Sequence, residues 1–206
     1  MEVSPVSVQS VLQRCANKFI LEDSSYVLEV KRSSLWKSGL IFYKQAMVNP
    51  DMLRKNLTID FVGEEGVDAG ALKAEFFDIL IKEMDRRLFE GNPEKRIPKK
   101  SWQGGPGHKL AGMIIGHSLL QNGPSYPCLA PCAYAYIATG NEESALDCFP
   151  TVEDIPLNAG TSSLHDCLRE VIITVFIICL CFYAIFVCVS PFHLRMGGFH
   201  GALEIW

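Results

Sequence analysis

Leu57, Ile59 and Phe61 alternate with Thr58 and Asp60, the period-two pattern of a strand with one buried face. Gly63-Glu64-Glu65-Gly66 turns the chain, and the period then changes: Leu72, Phe76, Ile79 or Leu80, Met84 and Leu88 recur as on one face of a helix. Asp68 stands where an N-cap carboxylate would accept orphan amide hydrogens, and Gly91-Asn92-Pro93 marks the helix end. Upstream, Val8 to Phe19 predicts a short helix with Val8, Val11, Leu12 and Cys15 on one side, and Tyr26 to Val30 predicts a strand. Ser33 or Ser34 can then cap a helix that turns Leu35, Trp36, Leu40, Tyr43 and Met47 inward, with Asn49-Pro50 ending it.

Downstream, Gly91 to Gly107 reads as a polar loop anchored by Trp102, and Lys109 to Gln121 as a helix. Ala130 to Thr139 predicts another short helix, and Glu142 to Leu157 an acidic, proline-bearing connection. This mixture of helices and short strands predicts an α+β fold rich in helix.

The pattern breaks near the end of the chain. Val171 to Val189 holds no charged residue, and at 1.5 Å per residue it is ~28 Å long, close to the thickness of a bilayer's hydrocarbon core. It predicts a C-terminal hydrophobic helix inserted in a membrane, a single pass with the N-terminal part cytosolic; the alternative is a cytoplasmic protein. Arg169 and Arg195 flank the run, so the positive-inside rule does not orient it. The first residues carry Glu2 and no continuous apolar stretch, which argues against a secretory signal.

At 206 residues with 49% apolar composition the chain can bury a proper core. Its net charge of −4 offers phosphate backbones no general attraction, so no nucleic-acid partner is expected. Lys95-Arg96 and Lys99-Lys100 read as solvated loop cations beside Pro98 rather than as a basic patch.

Candidate chemistry is sparse. Cys128 and Cys132 lack a second ligand pair at zinc-site spacing, and His165-Asp166-Cys167 is a single triplet. Gly112 and Gly116 lie one turn apart, a spacing suited to close helix packing. His117, directly after them, reads either as a packed core residue or as a general base without a visible partner; a hydrolase built on His117 or Cys148 lacks a supporting constellation. Glu64, Glu65 and Asp68 are better explained as carboxylates offsetting a helix dipole than as a catalytic pair or cation site. No catalytic, cofactor-binding or metal-ligating residue is assigned, and no cofactor is expected.

The block LTIDFVGEEGVDAGALKAEFF, the paired Phe76-Phe77, the Leu88-Phe89-Glu90 helix end and the proline-bearing stretch after Gln121 occur in an order that resembles the N-terminal lobe of HECT-type ubiquitin ligases. The resemblance covers a partial HECT N-lobe at 26–157, which leaves an extension at 1–25, a connector at 158–170, the transmembrane helix read from the uncharged run at 171–190 and a tail at 191–206. It implies a ubiquitin-protein transferase that passes ubiquitin from a conjugating enzyme to a substrate lysine, with that enzyme and ubiquitin as partners. The family's nucleophilic cysteine belongs to a separate C-terminal lobe. Its docking surface for the conjugating enzyme belongs to a subdomain beyond the matched part, so the chain is expected not to catalyse alone. Cys188, between Val187 and Val189, has apolar neighbours that would suppress the thiolate such chemistry requires. The alternative expectation is a non-catalytic, membrane-anchored interaction module on the same lobe.

Overall fold

The computed structural model describes residues 7–64, 69–99, 107–132, 134–135, 143–144 and 147–148. Their elements are α1 (Val8–Phe19), β1 (Leu21–Val30), α2 (Leu35–Val48), β2 (Lys55–Phe61), α3 (Ala69–Leu88), β3 (Phe89–Asn92), β4 (Lys95–Pro98) and α4 (Gly107–Leu120). The fold is α+β, with two small sheets. It divides into two units: one takes residues up to Met84 with Met113–Ser125, the other Asp85–Gly112 with residues from Tyr126 onward.

In the first unit β1 and β2 run parallel, joined by a crossover that contains α2. The predicted alternation in β2 holds, with Leu57, Ile59 and Phe61 buried. β1 starts at Leu21 rather than Tyr26, because Leu21 pairs with Lys55 and the strand resumes register at Ser25 after a bulge. Ser7 caps α1, its Oγ accepting from the Ser10 amide at 3.2 Å. The helix buries Ala16 and Phe19, whereas Val8 and Val11 are exposed, so its apolar side is covered only toward the C-terminal end.

α2 also differs from its predicted face. Leu35, Gly39, Phe42, Tyr43 and Ala46 are buried, while Trp36, Leu40 and Met47 are half-buried. Gly39 explains the rotation: a Cβ there would lie 2.7 Å from Leu80 Cδ1 of α3, so the glycine lets Leu80 seat against α2. Ser34 makes no side-chain cap bond; a 3₁₀ turn over Arg32–Ser34 leads into the helix instead. On α3 the periodic row resolves to Phe76, Leu80, Met84 and Leu88, with Phe77 and Ile81 buried beside it.

The second unit holds the larger correction to the sequence reading. Where a polar loop was expected from Gly91, β3 and β4 form an antiparallel hairpin closed by the Asn92 and Lys95 pair. Asn92 Oδ1 accepts from the Glu94 amide at 3.0 Å, the local bond that makes asparagine a turn former. The Arg96 amide donates to the Cys128 carbonyl at 2.6 Å and the Arg96 carbonyl accepts from Ala130 at 3.0 Å, so residues 128–130 run alongside β4. Four-residue strands are too short to show a period, and partners more than thirty positions away complete this one.

Trp102, Asp68 and Val171 to Val189 lie outside the described residues, as do residues 133 and 136–139 of the predicted helix from Ala130 to Thr139, of which Pro131, Cys132, Tyr134 and Ala135 are helical. No helix of the described residues is long and apolar enough to cross a membrane.

Candidate functional site

The buried polar residues of the first unit meet at the C-terminal end of α4. That end closes with the Gly123 amide donating to Ser118 O at 2.7 Å and the Asn122 amide to Leu119 O at 3.3 Å, the paired bonds of a Schellman motif. Asn122 takes the left-handed conformation this requires, at φ 59°. The motif makes Gln121 the last residue of the turn and directs its side chain inward, where it is 3% exposed.

Gln121 satisfies the start of β2. Its Oε1 accepts from the Leu57 amide at 3.2 Å, and its Nε2 donates to the Lys55 carbonyl at 2.7 Å. A backbone amide can only donate and a carbonyl can only accept, so these two bonds fix which way the side-chain amide faces. Nε2 then also donates to His117 Nε2 at 3.3 Å, one helical turn back. His117 must therefore carry its proton on Nδ1 and donate it to the Tyr43 hydroxyl oxygen, 3.0 Å away.

The imidazole is enclosed as well as bonded. Phe42 stacks on it at 5.9 Å, while Tyr43 and Phe77 meet it edge-on at 5.8 and 5.6 Å. Burial, reinforced by the nearby Lys73 ammonium, pushes the imidazole down to about 3, so it is neutral at pH 7. Burial also raises the Tyr43 phenol well above its ordinary range. Lys73 closes the network from α3, its Nζ donating to Asn56 Oδ1 at 3.2 Å and Gln121 Oε1 at 3.3 Å, and its own pKa is lowered by burial.

With both ring nitrogens occupied and 2% exposure, His117 ties α2, α4 and β2 together and has no free atom to offer a substrate as a general base. The packed reading of His117 therefore holds. Gln121, Tyr43 and Lys73 were not singled out as its partners. The one signal for them in the sequence is that His117 and Gln121 share a helix face just before Asn122-Gly123-Pro124.

A second cluster lies on the surface at the glycine-acid turn. Arg32 grips Glu64 through Nε at 2.5 Å and Nη2 at 2.9 Å, and Glu75 through Nη1 at 2.6 Å and Nη2 at 3.0 Å. Its guanidinium sits 4.2 Å from the Phe61 ring centroid. Hydrogen bonds to Glu75 and then Glu64 raise the Arg32 pKa further, and the Glu75 carboxyl is held below its usual range by Arg32. Glu64 is thus held in a structural clasp; Glu65 and Asp68 lie outside the described residues.

In the second unit Asp85 joins two partners. It accepts from the Tyr126 hydroxyl at 2.5 Å and from Arg96 Nη2 at 2.8 Å, and Arg96 Nη1 bonds the Gly91 carbonyl at 2.8 Å. Burial, then the bond to Asp85, holds the Tyr126 phenol protonated far above its ordinary range. Arg96 is thus a structural pin rather than a solvated loop cation, and Lys99 Nζ bonds the Arg86 carbonyl at 2.8 Å.

Cys15 and Cys128 are half-buried free thiols, Cys132 is buried and Cys148 exposed. Among the described residues no three His, Cys, Asp or Glu side chains converge as a metal site would need. His165-Asp166-Cys167 and Cys188 lie outside them. No protein-family model matches the chain.

Proposed function

We propose that this chain works in ubiquitin transfer as a lobe resembling the N-lobe of HECT-type ligases, holding protein partners without supplying the reacting thiol. The observation that carries the reading is the order of elements in the block from Leu57 to Phe77: a strand with one buried face, a glycine-acid turn in the sequence, and a helix that carries paired phenylalanines. Its side chains are spent on architecture. Phe76 and Phe77 are fully buried, Phe77 walls the His117 cage and Glu64 is clasped by Arg32. A thioester exchange needs an accessible thiolate on a mobile element, whereas the His117 network and the Arg32 clasp are closed by bonds within the chain.

The test is a titration of the purified chain with isotope-labelled ubiquitin and with a ubiquitin-charged conjugating enzyme. Resonance shifts in at least one of them, with no reductant-sensitive ubiquitin adduct on the chain, is the expected result. Binding to neither would sink the ubiquitin reading, and an adduct would overturn the non-catalytic part of it.

A second reading, a membrane-anchored interaction module, is favoured by the uncharged run Val171 to Val189. Carbonate extraction of membranes from cells expressing the chain decides between anchored and released protein. Retention in the pellet is expected, and release excludes the span.

A further inference from the structure

β1 and β2 keep parallel register over six successive pairs, from Ser25 and Asn56 to Val30 and Phe61. One face of this ribbon is core: Leu28, Val30, Leu57, Ile59 and Phe61 are buried. The opposite face is open, with Val27 58% exposed, Val62 48% exposed, and Glu29 and Asp60 exposed between them. Parallel strands are found almost only where both faces are covered, normally by helices, and a two-stranded sheet is marginal by itself. This ribbon is covered on one side.

The charge on the open face is equally incomplete. Glu29 and Asp60 are register partners, so two carboxylates stand directly across from each other, an arrangement that costs stability unless a cation joins them. Neither has an ion pair among the described residues. Lys31, which follows β1 directly, pairs with neither of them. Valines flank the acids, Val27 before Glu29 on β1 and Val62 directly after the end of β2.

We propose that this face docks a basic amphipathic helix of a partner protein. Two strands at ~4.8 Å spacing make a strip ~10 Å wide, which is the diameter of one helix. Six residue pairs extend ~20 Å, the length of ~13 helical residues. Outward side chains recur every ~6.6 Å along a strand, close to the ~5–6 Å between helix positions three or four apart. An arginine or lysine of the partner therefore sits between Glu29 and Asp60, and aliphatic residues one turn to either side pack on Val27 and Val62. Paired carboxylates repel nucleic-acid backbones and anionic lipid, which selects a protein segment. So small a face binds weakly and reversibly. The proposal is independent of the ubiquitin reading, and its outcome does not bear on that one.

The test uses the full chain and a fluorescent, helix-stapled peptide of alanine, leucine and lysine, with lysine and leucine one turn apart, followed by anisotropy. The wild-type chain should bind it. The neutral variant Glu29→Gln with Asp60→Asn should lose about tenfold in affinity while melting no lower than wild type, because it removes a like-charge pair. The charge-swapped variant Glu29→Lys with Asp60→Lys should instead bind a peptide carrying glutamate in place of lysine. Equal binding of the lysine peptide by all three chains would overturn the proposal, as would failure of the wild type to bind. So would protection of a Val27→Cys thiol from maleimide in the unliganded chain, since the face would then already be occupied by the chain itself.

Discussion

The His117 network and the Arg32 clasp are both polar clusters of the first unit, and both join α3 to segments distant in sequence. They differ in what surrounds them. Gln121 and His117 are 3% and 2% exposed, so each of their bonds replaces water that cannot return if the partner is removed. The Arg32, Glu64 and Glu75 side chains are 40%, 41% and 43% exposed, and water takes over whatever bond is broken. Similar bond lengths therefore carry unequal consequences, and solvent access sets the difference.

Gln121→Leu tests the dry side most severely. It leaves the Leu57 amide and the Lys55 carbonyl without their partner, and at ~1–3 kcal/mol for each unsatisfied group the loss should be about 3–4 kcal/mol in urea unfolding. A loss below that of a surface substitution would show that water reaches the network.

Acid provides the next largest effect. Below pH 6.5 the unfolded chain's imidazole takes up a proton that the folded one refuses until about 3, so this stability is complete above 6.5 and falls as pH drops. The expected slope is about 1.4 kcal/mol per pH unit. It should be measured above 4.5, before Glu75, whose folded pKa is also lowered, adds a loss of the same sign. The variant His117→Phe should flatten the slope in that window, and an unchanged slope would place the titration elsewhere.

Gly123→Ala should cost somewhat less, about 1–3 kcal/mol for a forced close contact. Its Cβ would lie 2.5 Å from Ser118 Oγ, which cannot swing aside without breaking its 2.7 Å bond to the Pro124 carbonyl, and 3.0 Å from Phe77 Cδ2. Pairing it with Ser118→Ala should recover part of the loss. Arg32→Ala, on the wet side, should move the urea midpoint least of the four. Its remaining effect should fade at ~1 M salt, where screening acts within ~3 Å.

How much of this was legible along the chain depends on the range of the interaction. The strand ending at Phe61 and the helix carrying Phe76 to Leu88 were readable because burial repeats with the period of each element. α1 was readable over its full span from its apolar spacing, although only Ala16 and Phe19 are buried. The hairpin from Phe89 to Pro98 was not, since its strands are shorter than any period and rely on Cys128, Ala130 and Tyr126. The partner of Glu64 was not legible because it lies 32 residues upstream in a 3₁₀ turn that no local pattern marks.

The amino-acid order by itself determined the longer helices and the alternation of β2, because those patterns follow from neighbours within a turn or two. Tertiary structure alone decided that His117 is a neutral, enclosed tie rather than a free base, and that Glu64 is held by arginine. It also decided that one face of a parallel ribbon stays open. Each of these depends on burial and on partners brought together only when the chain closes on itself, and no periodicity encodes which distant residue will stand within 3 Å of another.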